Sequence, residues 1–586
     1  MRRIRYRRLL AWLSLIVLLA LLLVVGFTPI SMRSVPSSSC VKIPSPNYTI
    51  SEETTVLTEP RRRDGSVMYM AAVNRTYGDG VTPDNNAVVV LLQAFGLESL
   101  GPANGDRYFE LLGIVPQVSE ESQFVPFDKF ANQYEEKHLE EYLEAEKGEG
   151  DQEFVEIPRT SPLGESRYVA TRNDQKMLHP RLRIAQAFER TRNRPWTNDE
   201  FSEISKWLDQ NGKALDLVVQ ASQRPRYFAP MLADGGPHGE EGALIGALLS
   251  VTGSTSEAAS ALQARAMLRL FQGDVSGSWT DLLTCHRLAR LVGQDPTLVG
   301  LKVSTEIETA TLAVTAHLIS AESYTAERAA QSLADLRSLA PVPDMIQRLD
   351  TCERYMLLDT VCWFSAEQQM PGYSSNPIGK LNDLAKRSLF NALIDWDVPL
   401  KRANEWFDEL VSIAEKPTYA ERAAALEEFE MAIKTIADNL PNAPSLMGSL
   451  LSGRSARNSV SHYVGERISA FMLPAVAQAH EAHTHARAVA RLNLLAAALA
   501  AYRANHGQWP ERLDMLTSEY LDELPVDPFT DAPFRYERRE NGFLLYSLGL
   551  NIEDDSDMNL DPDLDESAPE ELHPECDDIR IQVPPP

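Results

Sequence analysis

Three patterns of apolar and polar positions divide this chain. The first is a single unbroken run, Leu9 to Phe27, reading LLAWLSLIVLLALLLVVGF and interrupted only by Ser14. Nineteen residues at about 1.5 Å each reach about 28 Å, enough for a bilayer core. Five arginines within the first ten residues precede the run and Arg33 follows it, so the excess of positive charge predicts a cytoplasmic N-terminus with residues 28 to 586 outside. The run is longer than the apolar region of a cleaved signal peptide and ends in GFTPIS rather than a small-x-small site, so it reads as an uncleaved signal anchor.

The second pattern is helical spacing. In GVTPDNNAVVVLLQAFG, Thr82 is placed to cap, Pro83 to take the first helical position and Asp84 to face the positive end of the dipole, with Gly96 stopping the helix. ANQYEEKHLEEYLEAEKGEGD, from 131 to 151, predicts a charged helix with one face in solvent. From about 181 to 486 nearly every segment repeats at helical spacing, so this stretch is expected to be α-helical throughout, with breaks at QNGK around Gly212 and at APVPD from Ala340 to Asp344. Ala258, Leu262, Ala266 and Leu270 form one stripe, Gly273 marks a turn, and Trp279, Leu282, Leu283 and Leu291 form the answering face. That is an antiparallel helical hairpin of the tetratricopeptide kind, without a convincing repeat of about 34 residues around it.

The third pattern changes period. Leu492, Leu495, Leu499 and Tyr502 mark one helical face, Gly507 ends it and Trp509-Pro510 turns the chain away. LDMLTSEYLDELPVDPF supplies a short helix and a proline-fixed loop. PFRYERR and GFLLYSLG then read as two strands joined across Glu540-Asn541-Gly542, where Asn-Gly is a hairpin signal. One long helix laid across a small hairpin sheet is the expected architecture.

The chain is therefore expected to be mainly α, divided into a basic flank (1–8), a transmembrane signal anchor (9–27), a Ser/Pro/Thr-rich stalk (28–65), a mixed, mainly helical region (66–180), a helical-hairpin array (181–474), a small α+β head (475–552), and an acidic loop with the C-terminal segment (553–586). Hydrophobic residues at 44% and charged residues at 24% fit a folded chain. The formal charge of −27 repels phosphate backbones and argues against nucleic acid as a partner. Five cysteines, Cys40, Cys285, Cys352, Cys362 and Cys576, show no C-x-x-C pair and no metal spacing. Cys352 and Cys362 could bridge only if their helix breaks between them, since ten helical residues rise about 15 Å.

The series Tyr502, Gly507, Trp509-Pro510, Leu513, Tyr520-Leu521, Leu524-Pro525, Asp527-Pro528-Phe529, Tyr536 and Leu545-Tyr546-Ser547-Leu548-Gly549 resembles the globular head of the major pseudopilin of type II secretion, over roughly residues 485 to 580. The resemblance implies a calcium-binding loop after Y-S-L-G and a late Asp-Ile, similar to Asp577-Asp578-Ile579. It directs attention to Asp554, Asp555, Asp577 and Asp578, which flank an insertion that the family lacks. Gly26-Phe27-Thr28 stands at the wrong end of the apolar run for pilin processing, with Ser31 in place of Glu, and roughly 450 residues separate anchor from head. SEETTVLTEPRRRDGSVMYMAAVN and the regions of Trp196 and Trp279 resemble large bacterial membrane-anchored proteins, a likeness that supplies no activity.

Motifs for chemistry are weak. HEAHTH, His480 to His485, carries Thr484 where H-E-x-x-H needs its second histidine, and its histidines are expected to face solvent. GYSSNPIGKL, Gly372 to Leu381, has six residues between its glycines, and Leu381 stands where a phosphate loop has Ser or Thr. Thirteen Asp or Glu between Glu553 and Asp578 read as a solvated loop or a calcium loop. It is not an EF-hand, because Pro562 and Ala568 occupy the Gly and Glu positions of a loop starting at Asp557. The expectation is a single-pass protein of the inner (cytoplasmic) membrane, body in the periplasm, that binds envelope proteins without catalysis. An envelope hydrolase with its site in the helical body is the alternative, and a calcium-dependent sensor overlaps with the first reading.

Overall fold

A computed structural model describes residues 46–96, 105–115, 123–146, 153–157, 167–171, 179–233, 243–247, 250–367, 394–439, 455–554 and 578–585. The apolar run 9–27, Cys40, GYSSNPIGKL, Asp555, Asp577 and Cys576 lie outside the described residues. Among the described residues no helix is long and apolar enough to cross a membrane.

The chain is mainly helical. In order come α1 (Tyr69–Gly78), α2 (Ala87–Phe95), α3 (Gly105–Leu112), α4 (Phe127–Glu146), a hairpin of β1 (Glu153–Ile157) and β2 (Arg167–Thr171), α5 (Pro180–Asn193), α6 (Ser202–Gln210), α7 (Gly212–Ala221), α8 (Ser250–Phe271), α9 (Val275–Val292), α10 (Leu298–Ser320), α11 (Ala326–Arg337), α12 (Met345–Arg348), α13 (Arg354–Glu367), α14 (Asp397–Ala414), α15 (Tyr419–Asn439) and α16 (Ser455–His506). A π-turn, Leu349–Glu353, joins α12 to α13. Three strands follow, β3 (Arg535–Arg538), β4 (Phe543–Ser547) and β5 (Ile579–Val583), in an antiparallel sheet of order β3-β4-β5.

The hairpin stripe folds as its spacing demands. Ala258, Leu262 and Ala266 on α8 are fully buried, as is Leu282 on α9, and Asp274 caps α9 by accepting from the Gly277 amide. The helix predicted from Thr82 starts later. Thr82 to Asn85 form a turn in which the Thr82 carbonyl accepts from the Asn85 and Asn86 amides, and Asn86 is the cap, accepting from the Val88 amide at 3.2 Å. Asn86 prevails because its amide also pairs with the backbone of Phe228 on both sides, at 2.9 and 3.0 Å, and Asn74 pairs in the same way with Met231 at 2.9 and 2.7 Å. These two asparagines hold residues 222–233, a non-helical segment within the stretch expected to be helical throughout. The amide side chains satisfy the extended backbone at Phe228 and Met231, between the isolated β-bridges that Arg226 makes with Asn86 and Ala233 with Ala247.

Residues 46–65, expected as stalk, pack on the body. Thr54 and Thr55 are buried, Asn404 on α14 donates to the carbonyls of Glu53 and Thr54 at 3.1 and 3.0 Å, and the Tyr69 hydroxyl donates to that of Thr55 at 2.9 Å.

The expected head boundary at 475 falls inside α16. This helix of 52 residues is about 78 Å long. Its first half buries Leu473, Val476 and Ala477 in a core shared with α13, α14 and α15, and its second half buries Leu492, Leu495 and Leu499 in a core shared with α8 to α11. Phe543 and Leu545 of β4 and Ile579, Ile581 and Val583 of β5 belong to that same core. Alanines at 488, 496 and 498 let α16 approach its neighbours closely. Body and sheet are therefore parts of one packed unit.

Gly507 leaves α16 in the left-handed region at φ +74°, its amide donating to the Arg503 carbonyl at 2.8 Å. A short 3₁₀ turn, Leu513–Leu516, replaces the helix expected there. The β3–β4 connection is two residues long, Glu540-Asn541, because Arg539 and Gly542 exchange backbone hydrogen bonds. Gly542 is needed for a reason other than turn geometry: a Cβ there would lie 1.6 Å from the Val583 carbonyl oxygen of β5. The expected pair of strands is thus a triplet, with β5 against β4.

Candidate functional site

Two groups of charged side chains stand out, one along α16 and one at the π-turn. α15 begins with a capping box, in which Thr418 Oγ accepts from the Glu421 amide and Glu421 accepts from the Thr418 amide, both at 3.3 Å. The next residue, Arg422, consequently sits in the first turn against α16. Its Nε donates to His480 Nε2 at 3.0 Å, and Nη1 donates to the carbonyls of Lys416 and Pro417 at 2.8 and 3.1 Å. His480 is therefore unprotonated at Nε2 and carries its proton on Nδ1.

Each histidine of HEAHTH joins α16 to a different neighbour. His480 bonds Arg422 and stacks on Tyr419, His483 Nε2 bonds the Pro343 carbonyl at 3.2 Å, and His485 Nε2 bonds Thr309 Oγ of α10 at 3.1 Å. The expectation that they face solvent is wrong: the apolar positions of α16 wrap so far round that the histidines lie in its packed flanks. Burial lowers all three to about 4, helped at His480 by Arg422 and at His483 by Arg487.

Arg487 and Arg491 continue this face one and two turns on. Arg491 donates to the Val526 carbonyl at 2.6 Å, at the start of the D-P-F loop. That loop is fixed by Asp527, whose carboxylate accepts from Ser547 Oγ at 2.9 Å, from the Phe529 amide at 3.0 Å and from the Leu548 amide at 3.3 Å. Burial and the neighbouring Arg487 together lower the proton affinity of Arg422 and of Arg491.

The second group surrounds the π-turn. Asp295, Arg348 and Glu353 are 2%, 4% and 6% exposed. Glu353 accepts from the Leu298 amide at the start of α10 at 2.9 Å, and Asp295 accepts from Thr297. Arg348 donates to the Gly293 carbonyl at 2.6 Å. Burial raises Glu353 to about 7 and raises Asp295. Farther along α10, Glu308 accepts from His286 Nδ1 at 2.8 Å and pairs with Arg290, and although burial opposes it these two partners hold its carboxyl below the usual range.

Of the four proposed metal residues, Asp554 and Asp578 are described. Asp554 accepts from the Tyr546 hydroxyl at 3.1 and 3.0 Å, and Asp578 is buried immediately before β5, at the end of the sheet where Ser547 pairs with Ile579. Among the described residues no group of three or more His, Cys, Asp or Glu is arranged to hold a metal ion. Cys285, Cys352 and Cys362 are buried free thiols, and burial pushes each upward, Cys362 to about 12. Arg422, Arg487 and Arg491 were missed in the sequence, although Arg487 and Arg491 continue the register of His480 and His483.

No protein family, curated protein or solved structure matches the chain.

Proposed function

We propose that this protein is a membrane-anchored, extracytoplasmic interaction or assembly protein, held in the bilayer by residues 9–27 and presenting a pseudopilin-like head on a helical, tetratricopeptide-like body to other envelope proteins. The observation that carries this reading is α16, which runs from the body's second core into the core beneath β4 and β5. On this reading the head is continuous with the body through α16, with Arg535, Glu537 and Arg538 of the edge strand exposed. The succession of long helix, Gly507 break, Trp509-Pro510 and antiparallel sheet supports the pseudopilin-like description, and the α8–α9 hairpin supports the tetratricopeptide-like one. Calcium at Asp554, Asp555, Asp577 and Asp578 belongs to the same reading.

The hydrolase alternative is favoured by one observation, Glu353 raised to about 7 beside Arg348 on a π-turn, a backbone device frequent at functional sites. Site-specific photocrosslinking from Arg535 in membranes, in wild type and in Glu353→Gln, separates the two. A defined crosslinked envelope protein in both proteins supports the interaction reading. No crosslink, together with loss of a cellular phenotype in Glu353→Gln, supports the hydrolase.

A further inference from the structure

We propose that Arg422, Arg487 and Arg491 form a binding site for a phosphate-class oxyanion, at the junction of α15, α16 and the loop 526–531. The proposal goes beyond the interaction reading and does not depend on it.

The chain has 83 acidic and 56 basic residues, so an arginine meets a carboxylate easily. Elsewhere in the fold arginines do so, as in Arg354 with Asp408 and Arg402 with Glu466. Among the described residues, no carboxylate lies within the 4.0 Å of an ion pair from any of the three arginines. The nearby acids are committed elsewhere. Asp527 holds Ser547 and Leu548, Glu421 caps α15, and Asp344 accepts from the Ile346 amide. Asp531, exposed on its loop at φ +53°, lies beyond ion-pair distance.

Helical spacing brings the cations together. Arg487 and Arg491 are four residues apart on one face, where like charges oppose folding. His483 lies one turn before Arg487, and His480, bonded to Arg422, lies nearly another turn before that. Arg487 acts electrostatically on Arg422, Arg491, His480 and His483, and so stands at the centre of the group. Neither neutral histidine offsets this charge. Arg422 is fixed by two carbonyls through Nη1 and by His480 through Nε, and Arg491 by one carbonyl through Nη1, whereas the Arg487 side chain makes no hydrogen bond or ion pair with the described fold. Two anchored forks beside one uncommitted fork suit a ligand with several oxygens and more than one negative charge. A phosphate dianion fits better than a single carboxylate, which one guanidinium satisfies. The overall charge of −27 does not forbid this, because at physiological ionic strength charges beyond about 8 Å are screened and the local group dominates.

The test uses the full chain in detergent. Thermal midpoints and titration calorimetry are measured with inorganic phosphate, glycerol 3-phosphate and acetate against chloride at matched ionic strength. Phosphate or its ester is expected to raise the midpoint and acetate to leave it at the chloride value. A response to glycerol 3-phosphate at least as strong as to inorganic phosphate identifies an esterified ligand, lipid or sugar, and a response to inorganic phosphate alone identifies the free ion. Arg487→Gln removes no hydrogen bond of the fold. It is expected to raise the midpoint without anion and to weaken phosphate binding tenfold or more. An absent phosphate response in the wild type, or an undiminished one in Arg487→Gln, overturns the proposal.

Discussion

The rings of Phe529 and Tyr419 meet edge to face with centroids 4.9 Å apart, and this contact fastens the D-P-F loop of the C-terminal region to the first turn of α15. Both rings are buried, so removing one leaves a cavity at the seam between head and body. Phe529→Ala is expected to cost about 3 kcal/mol, read as a lowered denaturation midpoint. A midpoint within error of wild type would mean that the loop does not bear on the body.

Gly542 is tested in the same way. The methyl group of Gly542→Ala meets the Val583 carbonyl oxygen, which belongs to backbone and cannot swing aside. The expected cost is about 2 kcal/mol or more. A turn glycine needed only for left-handed backbone would instead tolerate Asn, so Gly542→Asn is expected to destabilise at least as much as Gly542→Ala.

The histidines of α16 give a pH dependence with a definite sign. Unfolded, they titrate near 6.5; folded, near 4. The unfolded chain therefore binds more protons between those values, so their stabilising contribution is complete above about pH 6.5 and is lost as pH falls toward 4. Each contributes up to about 3 kcal/mol. Urea denaturation from pH 7 to 4 should show a steep loss of stability that is shallower in His485→Gln, which keeps a partner for Thr309.

Fragment 475–586 is expected not to fold alone, although its sequence reads as a head. Cut free, it exposes Leu492, Leu495 and Leu499 of α16 and the inner faces of β4 and β5, which pack with α8 to α11. Circular dichroism on heating should show no cooperative transition. A sharp one would make the head an autonomous domain.

Local signals in the sequence were sound where one residue has one job. The α8–α9 stripe, Gly96 and Gly507 as helix ends, and the strands around PFRYERR and GFLLYSLG all follow from spacing and backbone preference. Misreadings came where a residue serves a distant partner. Asn86 outcompeted Thr82 through Phe228, a contact across 142 residues. Gly542 looked like a turn residue because the strand it admits, β5, arrives only after the acidic insertion. HEAHTH looked exposed because polarity suggested solvent, whereas its partners Arg422, Pro343 and Thr309 come from three separate parts of the chain. The arginine group had the same concealment, since Arg422 lies 65 positions before Arg487.

The position of β5 sets a timetable for making the protein. Ile579, Ile581 and Val583 seal a core whose other walls begin with α2, synthesised hundreds of residues earlier, and end with β4, only a few tens of residues earlier. Until those last side chains arrive, the nascent polypeptide carries an open apolar seam along α10 and α16. Nonsense mutations upstream of Ile579 therefore do more than trim an end: they leave every earlier helix correctly specified yet the interior unsealed, a species for quality-control proteases rather than a shortened working protein.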